Sequence, residues 1–205
     1  MHISRFRIRS FFHNEDLAVR LYEKEAPYMA RTTMLTLTGI SYTYPSMSEP
    51  LFEHVSASFQ QGWTAVLGDN GLGKTTVMNA LLDSMPEDLP HLIVQQQTGE
   101  AALSQTMRRL AALQGKERSQ VLAAFAQLNA DPDKLLSNEA PSPGELRKLM
   151  LCLGILDRPQ LIVMDEPTNY LDLESKVALA RCLADYPGAL VVASHDEWFL
   201  DQVVR

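Results

Sequence analysis

The chain has 205 residues, 46% hydrophobic and 21% charged, with a formal net charge of −7. That length gives one large domain or two small ones with a real core, and no apolar run reaches the roughly 18–20 residues that a membrane helix needs. Residues 1–33 carry six basic and four acidic groups, which leaves 12 basic against 21 acidic in the remainder; so acidic a body lacks the broad basic footprint of a nucleic-acid binder, although a local basic patch stays open.

The opening, MHISRFRIRSFFHNED, is basic but no apolar core follows it, unlike a secretory signal. Two cysteines, Cys152 and Cys182, have no CxxC pairing and read as reduced thiols, and the five histidines show no metal spacing. A soluble cytoplasmic protein is expected. EDLAVRLYEKEA predicts a short helix, broken by Pro27. From Met34 the texture changes. MLTLTGISYTY and LFEHVSASF alternate polar and apolar residues and predict strands, parted by the turn PSMSEP. WTAVLG is a short apolar run that leads into glycines. VMNALLDSM has helical spacing and stops at Pro86, and LIVQQQ predicts another strand. Residues 100–128 are rich in Ala, Leu, Gln and Arg and predict helix. DPDK and SNEAPSPG read as loops. ELRKLMLCLGILD and LESKVALARCLADY are helical, while LIVMDEP and ALVVASHD read as buried parallel strands. Strands alternating with helices predict an α/β fold with a mostly parallel central sheet flanked by helices.

The stretch GDNGLGKTT, Gly68 to Thr76, fits Gly-x-x-x-x-Gly-Lys-Thr through Gly68, Gly73, Lys74 and Thr75. A strand precedes it and a helix follows, the setting that a phosphate loop requires. Glycines let successive backbone N–H groups turn inward toward phosphate oxygens. The helix starting near Thr75 adds its positive dipole end. Lys74 supplies a point charge and the Thr75 hydroxyl a ligand for Mg²⁺. LIVMDEPTNYLD then puts Asp165 and Glu166 at the carboxyl end of a buried strand, where open α/β sheets hold ligands. Asp165 suits Mg²⁺ and Glu166 suits polarising an attacking water. His195 follows the strand ALVVA at the same kind of end and suits a γ-phosphate contact.

Taken in order, GDNGLGKTT, a glutamine-bearing strand end, SPGE, LIVMDEPTNYLD and SHD resemble the ATP-binding cassette (ABC) ATPases over about residues 34–205. EPTNYLD followed by SHDEWFLD looks most like the soluble F-type subfamily, many of whose members act on ribosomes. The resemblance implies a P-loop NTPase of ABC type, with an antiparallel β part near the N-terminus and a short helical subdomain at about residues 98–157. It implies a phosphate loop made of Gly68, Asp69, Asn70, Gly71, Leu72, Gly73, Lys74, Thr75 and Thr76. Asp165 matches the Walker B aspartate, Glu166 the catalytic glutamate and His195 the switch histidine. Asn169, Leu171 and Asp172 lie in the segment that faces a partner cassette. Tyr44 is placed to stack on adenine, with Tyr42 as the alternative. Of Gln95, Gln96 and Gln97, Gln96 aligns with the glutamine that contacts Mg²⁺ and water.

The match has departures. The signature Leu-Ser-Gly-Gly-Gln/Glu is here Pro141-Ser142-Pro143-Gly144-Glu145, so Ser142, Gly144 and Glu145 match and Pro143 does not. Proline is tolerated where a helix begins, but it removes one phosphate-binding N–H. Weak hydrolysis, or one degenerate half of an asymmetric pair, would follow. Only ten residues follow His195, and there is one cassette without the long linker of F-type proteins. A dimer, or a shortened relative of a longer protein, is expected, with residues 1–33 as an N-terminal extension. The implied function is ATP binding and hydrolysis with Mg²⁺ that drives a shape change on a partner, the ribosome foremost, with a second cassette completing each site. Two other readings share the motifs: the ATP-binding subunit of a transporter with a separate membrane permease, and a non-hydrolysing ATP-gated binding module.

Overall fold

The computed structural model describes residues 7–11, 35–43, 48–50, 52–59, 62–67, 74–83, 85–95, 99–137, 140–184 and 186–203. In chain order these form β1 (Arg7–Phe11), β2 (Leu35–Tyr42), β3 (Phe52–Phe59), β4 (Gly62–Leu67), α1 (Lys74–Asp83), β5 (His91–Val94), α2 (Glu100–Ala112), α3 (Gly115–Gln127), α4 (Pro132–Leu136), α5 (Pro143–Ile155), β6 (Leu161–Asp165), α6 (Leu173–Ala184), β7 (Ala189–Ala193) and α7 (Glu197–Val203). The helix expected within residues 15–26, the loop 68–73, Tyr44 and Gln96 lie outside the described residues.

The main sheet has the order β1-β4-β7-β6-β5. Strands β4, β7, β6 and β5 are parallel neighbours. Each is followed by a helix, and that crossover is what a parallel pairing needs. Both faces are covered, so the alternation typical of a half-wet strand disappears. Every residue of β6 and β7 is buried. Ile162, Met164, Leu190 and Val192 enter a core with Leu149 and Leu153 of α5, Leu179 and Leu183 of α6 and Phe199 of α7. Leu161, Val163, Val191 and Ala193 point to the other face and pack with Met78 and Leu81 of α1. Each such Val, Leu, Ile, Met or Phe side chain contributes about 1.5–3 kcal/mol by leaving water. Packing on the α5 side is tight: a Cβ placed on Gly154 would come within 2.4 Å of the Leu92 side chain.

The antiparallel part is the pair β2–β3, as expected near the N-terminus. A second antiparallel pairing was not expected. Strand β1, from within residues 1–33, lies along β4 in register Arg7↔Leu67 to Phe11↔Trp63. The helical stretch expected over residues 100–128 divides into α2 and α3, because Leu113 and Gln114 take extended backbone. DPDK, expected as loop, contributes to α4. Asp131 accepts a hydrogen bond from the Asp133 N–H at 3.0 Å and Pro132 takes the first helical position, so a proline that reads as a breaker here starts a helix. Helix α5 packs against α2, α3 and β5. No described helix is long and apolar enough to cross a membrane.

Helix α7 is anchored by Asp196. Its carboxylate accepts from the Phe199 N–H at 3.0 Å and from Lys176 Nζ, on α6, at 2.6 Å. Burial alone would raise this carboxyl, but the Lys176 and Phe199 hydrogen bonds outweigh it and hold the group below the ordinary 3.8. A depressed carboxyl contributes stability above its unfolded value and loses it as pH falls. We expect D196A to destabilise the fold by about 1–2 kcal/mol at pH 7. In urea melts at falling pH, its deficit against the wild type should shrink below the ordinary aspartate value of 3.8.

Candidate active site

Parallel register brings three strand ends to one level. Ala193, the last residue of β7, is opposite Asp165, the last of β6, and also opposite Val66 of β4. Two backbone hydrogen bonds then fasten the turns that leave this edge. Ser194 N donates to Val66 O at 3.3 Å, and Glu166 N donates to Ala193 O at 2.8 Å. Glu166 takes a left-handed backbone with φ 48°, which bends the chain sharply out of β6.

Helix α1 starts at the same edge with Lys74 and Thr75. The first N–H groups of a helix lack intrahelical acceptors and form a region of positive potential. Into this region come the two acids. Thr75 Oγ1 donates to Asp165 Oδ2 at 2.7 Å. Lys74 Nζ lies 3.1 Å from Glu166 Oε1, an ion pair whose side chains are 6% and 4% exposed. The contact is Coulombic rather than well aligned, since Oε1 accepts no hydrogen bond among the described residues. The other oxygen, Oε2, faces His195 Nδ1 at 2.8 Å, with Ser194 Oγ and His195 N each at 3.4 Å. A carboxylate only accepts, so the proton of this contact sits on Nδ1. The other ring nitrogen, Nε2, is left for a further partner.

Asp165 is 7% exposed. Burial raises its carboxyl above the ordinary value, and the Thr75 hydrogen bond and the Lys74 charge only partly offset it. Its Oδ1 is buried with no hydrogen-bond partner among the described residues. The Thr75 hydroxyl and the Asp165 carboxylate form an oxygen-only donor pair, the kind that hard divalent cations take. A cavity of about 310 Å³ opens beside this pair, between α1 and the ends of β5 and β6, with Gln95 on its rim.

Lys74, Thr75, Asp165, Glu166 and His195 therefore meet. Thr76 is buried in the first turn of α1. Gly68, Asp69, Asn70, Gly71, Leu72, Gly73, Gln96 and Tyr44 fall outside the described residues. Tyr42, the other aromatic candidate, ends β2 and is 37% exposed. Ser142, Gly144 and Glu145 make their contacts with each other, with Lys134 and with Tyr170–Leu171. Ser142 and Glu145 form a reciprocal cap at the start of α5. Glu145 N donates to Ser142 Oγ at 3.2 Å and Ser142 N to Glu145 Oε2 at 2.8 Å. That backbone donor, with Ser142 Oγ and Lys134, holds the Glu145 carboxyl below its ordinary value. Pro143 occupies the first helical position, where a missing N–H removes no helical bond. Ser194 escaped the sequence reading; its only signal is its place between a buried strand and His195.

The ABC transporter family profile matches residues 52–169, more than half of the chain. ATP-binding protein YdiF of Bacillus subtilis is 32% identical over 185 residues, which cover 83% of this chain and 28% of that protein. Ribosome protection protein VmlR of the same species is 32% identical over 178 residues, 82% of this chain and 30% of that protein. Energy-dependent translational throttle protein EttA of Haemophilus influenzae is 29% identical over 211 residues, 75% of this chain and 37% of that protein. The chain thus spans little more than a third of these relatives at most. Among solved structures, an inward-facing metal-chelate type ABC transporter superposes with a TM-score of 0.58 at 20% identity, over 84% of this chain and 76% of that one. At that identity the superposition speaks for the fold alone. The sheet, the strand-end cluster and the family match agree: the chain belongs to the ABC transporter family, of which it is an ATPase domain.

Proposed function

We propose that the chain binds and hydrolyses ATP with Mg²⁺, as one of two paired cassettes in the cytoplasm, and that the cycle drives a change of shape on the ribosome. The observation that carries this reading is the meeting of Lys74 and Thr75 with Asp165, Glu166 and His195 at one sheet edge. The ribosome enters through the relatives, since VmlR is named for ribosome protection and EttA for throttling translation. We assign residues 34–205 to the ATP-binding unit, with a helical insertion at about residues 98–157.

In this reading, residues 68–76 cradle the triphosphate with backbone N–H groups, and Tyr44 stacks on adenine. Lys74 lays its charge on the outer phosphates. The residues present fit the metal: Thr75 and the unpartnered Asp165 Oδ1 offer oxygen ligands, with Gln96 to complete the set. Mg²⁺ would supply charge neutralisation at the phosphates. Glu166 orients the attacking water and accepts its proton. His195 steadies Glu166 through Nδ1 and turns Nε2 toward the γ-phosphate, where it donates only as an imidazolium. The Ser142 hydroxyl and the Gly144 N–H, at the start of α5, serve the phosphate held by the opposite cassette.

Two outcomes are expected. E166Q should keep ATP binding and lose turnover by about 100-fold or more, and should pellet with ribosomes in Mg²⁺–ATP but not in ADP. A phosphate-release assay and sedimentation check this, and unchanged turnover in E166Q would remove Glu166 from the chemistry. D165N separates chemistry from stability. Because burial raises the Asp165 carboxyl, its charge costs stability as pH rises through that raised value, and the penalty is absent below the ordinary 3.8. D165N should therefore melt at or above the wild-type temperature at pH 7, lose that advantage in acid, and fail to hydrolyse ATP.

A further inference from the structure

The start of α5 is pressed against the loop that follows β6. A Cβ on Gly144 would stand 2.9 Å from Tyr170 O and 3.1 Å from Leu171 Cδ2. One turn further on, Arg147 reaches the same loop. Its Nη1 donates to Asn169 O at 2.9 Å, and its guanidinium carbon lies 5.4 Å from the centroid of the Tyr170 ring. Arg147 is 4% exposed, and its Nε is buried without a hydrogen-bond partner among the described residues. The next residue extends the clamp: Lys148 Nζ donates to Ser175 Oγ at 2.6 Å and to Asn129 O at 2.9 Å. Ser175 is in turn capped by Asp172, whose Oδ1 accepts from Ser175 N at 2.7 Å.

This is a poor way to gain stability. Burying a guanidinium costs several kcal/mol unless a carboxylate and further hydrogen bonds repay it. Among the described residues, Arg147 has one neutral carbonyl and one ring face as direct partners. What the contact does achieve is placement. Tyr170 holds a left-handed backbone, φ 66°, a conformation that costs a non-glycine residue about 1 kcal/mol or more. Tyr170 is 77% exposed and Leu173 is 65% exposed. A strained loop that presents apolar groups to solvent needs an external hold, and Arg147 grips the carbonyl just before the strained residue. Burial lowers the Arg147 pKa, and Tyr170 and Asp165 nearby partly offset it.

We propose that Arg147 is a positioning residue that fixes the loop 169–172 to the first turns of α5, so that Ser142–Glu145 and the loop meet a second cassette as one preformed surface. The inference rests on the paired-cassette reading above. A preformed surface loses less entropy on association than one that must be ordered by its partner. The second cassette of this proposal is a second copy of this chain, and it would find the loop already set.

The test uses the full chain in the E166Q background, with R147M, which keeps volume but loses donors and charge, and R147K, which keeps one donor. Light scattering over a protein titration in saturating Mg²⁺–ATP gives the dimer constant. A fluorescent ATP analogue gives the affinity of the monomer. Hydrogen exchange of the monomer reads residues 168–173, where Leu171 N donates to Thr168 O at 3.2 Å. R147M should weaken dimerisation by about tenfold or more, leave the affinity for the ATP analogue unchanged and speed exchange over 168–173. R147K should lie between R147M and the parent. If the E166Q parent stays monomeric, the pairing of two copies fails and the proposal falls with it. If the parent dimerises and R147M dimerises as well, or exchange over 168–173 is unchanged, the proposal alone is overturned. Should R147M melt far below the parent, R147K decides by the same comparisons: weaker dimerisation with faster local exchange supports the proposal, and parent-like behaviour in both overturns it.

Discussion

Parallel strand register is the constraint on which the site depends. Ala193, Asp165 and Val66 stand level across three strands, so β4, β6 and β7 all end at one edge of the sheet. Two backbone hydrogen bonds, Ser194 N to Val66 O and Glu166 N to Ala193 O, carry the alignment one residue beyond the ladder. A slip of one residue would reverse every side chain of a strand. In β6 it would turn Leu161 and Val163 from α1 toward α5 and send Asp165 away from Thr75. The apolar core on both faces makes such a slip costly, and the precision of the acids is inherited from that packing.

The same edge shows how polar groups are kept below the surface. Asp165 shares Thr75, and Glu166 is held between an ammonium and an imidazole. At the start of α5, Ser142 and Glu145 satisfy each other's backbone, and Pro143 falls where its missing donor is harmless. The proline that departs from the family signature is thus compatible with an intact first turn. What it removes is one backbone N–H donor.

Much of this was legible in the sequence because the decisive signals are local. A strand, a glycine-rich loop and a lysine-led helix occupy consecutive residues, and LIVMD names both a buried strand and its acidic end. Chemistry carried by neighbours in sequence can be read from neighbours in sequence. What was missed depends on distance or on dual-use residues. The pairing of β1 with β4 joins residues more than fifty positions apart, and nothing in RIRSF names its partner. DPDK uses a turn-forming proline to open α4, a choice settled by the Asp131 cap rather than by composition. Arg147 looks like an ordinary solvated residue on a helix; only the approach of the loop after β6 makes it buried.

The pairing of Lys74 with Glu166 has one further consequence. Any anion that takes the ammonium must first displace a carboxylate 3.1 Å away in a largely dry setting, where salt screens little. The apparent affinity of the site is then a difference between two bonds, so residue 166 acts as an internal rival of that anion. A neutral amide at that position would tighten binding even in a protein that never turned over. Persistent occupancy alone would not distinguish a blocked reaction from a removed rival.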